Sequence, residues 1–271
     1  MTNPAAGWTR ISDIGDISDG EQGDLILAVD YYGTGRRGTT FRDLVGLLPR
    51  HLEVWHAVAP LDGHRPDISA RDYLTWWCDD LMRSRTPPLA VFGYCAGAVF
   101  ASAVADEIER HNGRRPAVVL FDPDKPTVDT LGDDFSGIID SMTVLAEEER
   151  AEIHLRAAEI RSLHGDDFET VSAEFLAIYQ KAYDVVFDRL GIERQVGEQL
   201  TRVFASYVRY LSAARQLGHL LDRESAPALI SRDHRHSAAI RPEIGFDVGR
   251  AELLGGLDVA TAAYDLIMAG K

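Results

Sequence analysis

Five residues in a row, Gly93-Tyr94-Cys95-Ala96-Gly97, carry the strongest chemical signal in the chain. A thiol with glycine two positions away on each side has the form of a nucleophile elbow, G-x-S-x-G, with cysteine in place of serine. The spacing has a physical reason. A sharp strand-to-helix turn holds the nucleophile in a strained conformation, and the residues two before and two after it clash across the turn unless they are small. Such a turn sets the sulfur at a helix N-terminus, where the partial positive charge favours a thiolate. It also aims the Ala96 N–H at a developing oxyanion. The bland alternative is a buried, inert cysteine. An apolar run before Cys95 and a helical pattern after it supply the context that a working elbow needs.

A nucleophile needs a base and an acid to orient that base, and in this kind of strand–turn–helix arrangement they follow it as acid, then histidine. The acid belongs at the C-terminal end of a sheet strand, where loops converge. In "VVLFDPDKP", Asp122 stands directly at a strand end, with Asp124 as the next choice. Asp-Pro is also a common turn starter, which is the plain reading of Asp122. Asp233, after "PALIS", is a third strand-end acid. His234 and His236 in "SRDHRHSAA" are the histidines placed to serve as base, although the loop reads as polar and solvated. His219 lies in a helical run and reads as a packing or surface residue.

The elements that must position these groups follow from periodicity. Residues 25–29 form a continuous apolar run that ends at Asp30 and a glycine turn, as a buried parallel strand does. Helical spacing follows in "TTFRDLVGLLPRH", then a strand in "LEVWHAVAPLDG", and a helix from Ser69 whose Trp76, Trp77 and Cys78 are expected on its core face. "PLAVFGY" runs straight into Cys95, the next helix stops at Asn112-Gly113, and "PAVVLFDPDKP" is the fourth strand. From 131 to 223 the strand signal vanishes, and helical stretches at 139–163, 166–190 and 194–223 predict an inserted lid. Strands return at 227–233 and 244–249 before a closing helix. Residues 1–23 read as an irregular lead-in. The expectation is an α/β fold in a single domain over 1–271, with a mostly parallel sheet flanked by helices and a helical lid subdomain at 131–223.

Charge narrows the partners. A formal net charge of −15 argues against nucleic acid and against an anionic membrane surface. The longest apolar runs fall short of a membrane span, the N-terminus lacks the pattern of a secretory signal, and two cysteines make no disulfide framework, so a cytoplasmic protein is expected.

On these residues the chain resembles the thioesterase family of the α/β-hydrolase fold, found with polyketide and non-ribosomal peptide synthetases. The resemblance runs from about 22 to 270. It rests on "LILAVDYYGTGRRGTTFRDLVGLLP", the elbow "VFGYCAGAVFASAVADEI", the strand "VVLFDPDKP", the helical insertion, and the closing "FDVGRAELLGGLDVATAAYDLI". The cysteine elbow is also similar to that of free-standing Dieckmann cyclases. The resemblance implies an acyl chain delivered on a phosphopantetheine arm by an acyl or peptidyl carrier protein, with no bound cofactor. It implies a second oxyanion donor from the loop after the first strand, the Tyr32 amide, with Tyr31 and Tyr94 lining the substrate channel. It also exposes a departure: the family's histidine falls at Arg250, and arginine stays protonated and is no general base.

Three readings of that departure stand. His234 or His236 reaches the site from the preceding loop, or the thiolate is populated by the helix terminus and Arg250, or the site does not turn over. The leading expectation is a thioesterase-like acyltransferase or cyclase that loads a polyketide or peptide thioester onto Cys95 and releases it by Dieckmann-type cyclisation. An acyl-cysteine remains activated toward carbon nucleophiles, which an acyl-serine is to a lesser degree. The alternatives are a hydrolytic editing thioesterase and an inactive acyl- or partner-binding protein. Arg36, Arg37, Arg42 and Arg65 are candidates for a basic rim that receives an acidic carrier.

Overall fold

The computed structural model describes residues 7–12, 24–31, 38–60, 68–82, 87–192, 194–223, 226–234 and 242–270. Among them, seven strands form one sheet: β1 (Trp8–Arg10), β2 (Asp24–Val29), β3 (Leu52–Ala57), β4 (Ala90–Tyr94), β5 (Ala117–Phe121), β6 (Ala228–Ser231) and β7 (Glu243–Phe246). The order is β1-β3-β2-β4-β5-β6-β7. Only β1 is antiparallel, to β3, and the other five pairings are parallel. This is the expected α/β-hydrolase-like fold.

Strand residues alternate between two cores, as the pleat requires. Leu25, Leu27 and Val29 pack beneath α2 (Ala70–Leu81) and α3 (Gly97–Asn112). Ile26 and Ala28 face the opposite core with α1 (Phe41–Leu47) and α8 (Leu257–Ala269). Both faces are covered, which explains why the strands read as unbroken apolar runs. The register then sets the site. Val29 pairs with Gly93, and Tyr94 pairs with Phe121. The residues that follow these strands, Asp30, Cys95 and Asp122, therefore emerge side by side at the C-terminal ends of the central strands.

Between β5 and β6 the chain forms α4 (Val128–Ser141), α5 (Glu147–His164), α6 (Phe168–Leu190) and α7 (Arg194–Gln216), then a 3-10 turn at Gly218–Arg223. The insertion thus holds four α-helices. The first was not expected before residue 139: Gly132, Gly137 and the Asp133-Asp134 pair weaken its helical signal. A capping box starts it, with the Thr127 hydroxyl accepting from the Thr130 N–H at 3.1 Å and Thr130 Oγ1 accepting from the Thr127 N–H at 2.8 Å.

Two further expectations are corrected. Residues 8–10 are not irregular lead-in but strand β1, too short to show alternation, anchored where the buried Trp8 indole donates to the Trp77 carbonyl at 2.8 Å. Trp76 does not share the core face of α2: it is 36% exposed while Trp77 and Cys78 are buried, as a 100° step per residue demands. No helix among the described residues is long and apolar enough to cross a membrane.

Candidate active site

Cys95 follows β4 and precedes α3 with φ at 53°, in the left-handed region that non-glycine residues seldom adopt. Sterics leave the elbow glycines no substitute. A Cβ on Gly97 would lie 2.1 Å from the Val29 carbonyl oxygen, and one on Gly93 would lie 2.6 Å from Ala98 Cα. The turn is tied down by its backbone: Cys95 N–H donates to the Phe121 carbonyl at 3.0 Å, and the Cys95 carbonyl accepts from Ala98 and Asp124 at 3.0 and 3.2 Å.

The sulfur meets a cation. Arg250 Nη2 donates to Cys95 Sγ at 2.9 Å. Burial pushes the Cys95 thiol up to about 11; Arg250 is the largest opposing influence, and the Ala96 N–H also favours the anion. A Cys95 thiolate in turn raises the guanidinium above the ordinary arginine range. Burial thus favours the neutral thiol, and the adjacent charge lowers the cost of ionising it. Arg250 is placed by its own loop: Ala251 O accepts from the Thr39 N–H at 2.6 Å and from Thr39 Oγ1 at 3.1 Å. Tyr94 Oη reaches the Arg250 carbonyl at 3.5 Å.

Asp122, the expected acid, is fully buried and also has positive φ, at 41°. Its Oδ1 accepts from the Ser231 N–H and its Oδ2 from the Ser231 hydroxyl, both at 2.7 Å. His234 Nδ1 lies 3.7 Å from Asp122 Oδ1, and the His234 side chain is 2% exposed. The structure therefore brings His234 to the acid, out of the solvent in which a polar loop would leave it. Asp124 is buried beside the elbow, and Asp233 is exposed. Tyr32 and His236 lie outside the described residues, as do Arg36, Arg37 and Arg65; Arg42 is exposed on α1.

A cavity of about 660 Å³ opens over the elbow. Cys95, Ala96, Tyr94 and Arg250 form its floor, with Asp30 and Tyr31 beside them; α4, α6 and α7 of the insertion supply the facing wall. Tyr31 Oη donates to the Val203 carbonyl at 2.9 Å, and its ring packs on Tyr207 and Tyr210 with centroids 5.0 and 5.4 Å apart. This joins the sheet to α7.

Several cavity residues were not singled out from the sequence. Asp134 on α4 accepts a short hydrogen bond from Tyr207 Oη on α7. Asp134 is exposed and Tyr207 half-buried, and both line the cavity. Lost hydration raises both groups, Tyr207 strongly. Asp30 is buried and bonded to His56 Nε2 at 2.5 Å. Among the described residues, no cluster of three or more His, Cys, Asp or Glu side chains is arranged to hold a metal ion.

No family model matches the chain, and no curated protein matches it. Solved structures do match in fold. The chain is similar to the Vlm2 thioesterase domain carrying genetically encoded 2,3-diaminopropionic acid and bound with a dodecadepsipeptide, at 17% identity and TM-score 0.53, covering 97% of this chain and 98% of that one. It is similar to the NocB thioesterase domain in covalent complex with a fluorophosphonate nocardicin G analog, at 13% identity and TM-score 0.50, covering 90% and 95%. It is equally similar to AqDC, described for recognition and ring-cleavage of the Pseudomonas quinolone signal, at 13% identity and TM-score 0.52, covering 97% and 95%. These likenesses establish the α/β-hydrolase-like architecture, which carries more than one chemistry.

Proposed function

We propose that this protein processes acyl thioesters. Cys95 takes an acyl chain from the phosphopantetheine thioester of an acyl or peptidyl carrier protein and releases it by intramolecular carbon attack, a Dieckmann-type cyclisation. The observation that carries this reading is the 2.9 Å contact between Arg250 and Cys95 Sγ. A hydrolytic site needs a group there that removes a proton from water. A guanidinium does not accept one. It does stabilise a thiolate, both when sulfur attacks the incoming thioester and when sulfur later leaves. Exchange of one thioester for another is nearly thermoneutral, so the acyl-enzyme keeps the activation that carbon–carbon bond formation requires. The helical wall over the elbow shields that intermediate from water.

The raised Cys95 thiol favours a second reading, a protein that binds an acyl ligand without turning it over. Intact-protein mass spectrometry separates the two. After mixing with an acyl-thioester mimic of a carrier-bound chain, an acyl mass on the wild type that is missing from Cys95→Ala supports the enzyme. An unmodified protein with the thioester unconsumed supports the binding protein.

A further inference from the structure

Carbon attack on an acyl-cysteine needs a base for the carbon acid, and the nucleophile's own partner is a cation. The carboxylates near the elbow differ in what already occupies them. Asp122 is engaged by Ser231 through both oxygens, and Asp30 is bonded to His56. Asp124 is buried outside the cavity lining, and Asp140 is bonded to His154; of the carboxylates that α4 presents to the cavity, Asp134 is the one coupled to Cys95 and Arg250. Its Oδ2 accepts from Tyr207, and among the described residues its Oδ1 takes no hydrogen bond. It faces the cavity that Cys95 and Arg250 floor; its charge raises the Cys95 thiol, and the Arg250 charge lowers the Asp134 carboxyl.

We propose that Asp134, held by Tyr207 on the cavity wall opposite the elbow, is the base that takes the carbon-bound proton of the acyl chain loaded on Cys95. The inference rests on the acyl-thioester reading above and names a further catalytic residue for it. The step balances without an added reagent. Asp134 Oδ1 accepts the proton from a carbon flanked by two carbonyl groups. The carbanion attacks the carbonyl carbon of the acyl-cysteine, a C–C bond forms and the C–S bond breaks. The Cys95 thiolate leaves toward Arg250 and is reprotonated by the proton Asp134 acquired. Partial loss of hydration against the cavity wall raises the Asp134 carboxyl, so the carboxylate is a stronger base than one in water. The Tyr207 bond opposes that rise and keeps the group usable as an anion.

The implied substrate is an acyl thioester whose chain holds an acidic methylene within ring-closing reach of the thioester carbonyl. The N-acetylcysteamine thioester of N-acetoacetylalanine is such a compound, and its cyclised product is a five-membered tetramate. Wild type, Asp134→Asn, Asp134→Glu and Tyr207→Phe are mixed with it, with Cys95→Ala as the background. Acyl-enzyme is followed by mass and product by absorbance.

Asp134→Asn removes a charge that opposes the thiolate, so it is expected to acylate at least as fast as wild type and to accumulate acyl-enzyme, with release slowed by about 10²-fold or more, the scale of a general base. Asp134→Glu retains a carboxylate and is expected to recover part of the release rate. Tyr207→Phe is expected to slow release by less than Asp134→Asn. Release by Asp134→Asn at the wild-type rate overturns the proposal, and so does an equal loss of acylation and release. Wild type that never acylates overturns the acyl-thioester reading itself, and this inference with it.

Discussion

Cys95 and Asp122 are the two non-glycine residues, among those described, with positive φ, at 53° and 41°. They follow paired strand residues, Tyr94 and Phe121, and the Cys95 N–H donates to the Phe121 carbonyl. Strain of this kind costs about 1–3 kcal/mol per residue and persists only where surrounding structure enforces it. Here the enforcement is the elbow's packing and the buried hydrogen bonds to Asp122.

Gly97→Ala tests the packing. Its Cβ would meet a backbone carbonyl, which has no flexible end to move aside. We expect a loss of about 1–3 kcal/mol of stability or more, in the range of overpacked cores, read as a lowered midpoint in urea. An unchanged midpoint would mean the elbow yields more than its geometry implies.

Ser231→Ala tests the acid. It removes the hydroxyl that donates to Asp122 Oδ2 and leaves that buried oxygen short of a partner. The expected cost is about 1–3 kcal/mol, measured by chemical denaturation. Ser231→Thr keeps a hydroxyl and is expected to cost less.

Thiol labelling tests the Arg250 contact. Cys78 is buried on α2 and pushed up to about 12, so it stays unmodified in the folded protein. Cys95 faces the cavity, and its alkylation by iodoacetamide is expected to rise with pH toward a midpoint near 11. Arg250→Ala removes the largest influence lowering that midpoint. The midpoint then moves higher, and alkylation at pH 8 slows in proportion to the thiolate lost, about tenfold if the midpoint climbs by a full pH unit. Equal rates in both proteins would show that the guanidinium does not support the thiolate.

Arg250→His places a proton acceptor where the cation stands. The expected result is conversion of a slow acyl-enzyme into a hydrolytic one, with free acid appearing on the order of 10²-fold faster. Chromatography of products from a simple acyl thioester, one with no acidic methylene, reads this directly. No gain in free acid would mean that missing base chemistry is not what restrains water.

The same thiol gives a pH dependence of stability. The folded value, about 11, exceeds the ordinary 9.0, so the folded state holds the proton more tightly than the unfolded chain. Its contribution is fully present below pH 9 and is lost as pH rises through 11. Cys95→Ala is expected to flatten the stability curve between those values, measured as the difference from wild type at each pH.

What could be read from the chain follows the range of each signal. The elbow was legible because its glycines sit within two residues of Cys95, and Asp122 because an apolar strand leads into it. Arg250 became informative only through the resemblance, since a loop arginine has no local signature. His234 read as solvated because its neighbours are polar, yet the return of β6 beside β5 buries it against Asp122. Asp134 and Tyr207 were silent: each is one polar residue on an amphipathic helix, 73 positions apart, and only the packing of α4 and α7 onto the elbow brings them together.

The Arg250–Cys95 contact spans 155 residues of sequence, and the Thr39–Ala251 bonds that set the Arg250 loop span 212. A chain emerging from the ribosome presents its N-terminal segments first. The strand, elbow and helix around Cys95 are thus synthesised well before their cation exists. The thiol spends that interval without its electrostatic partner and acquires it only as the last strand and helix are laid down.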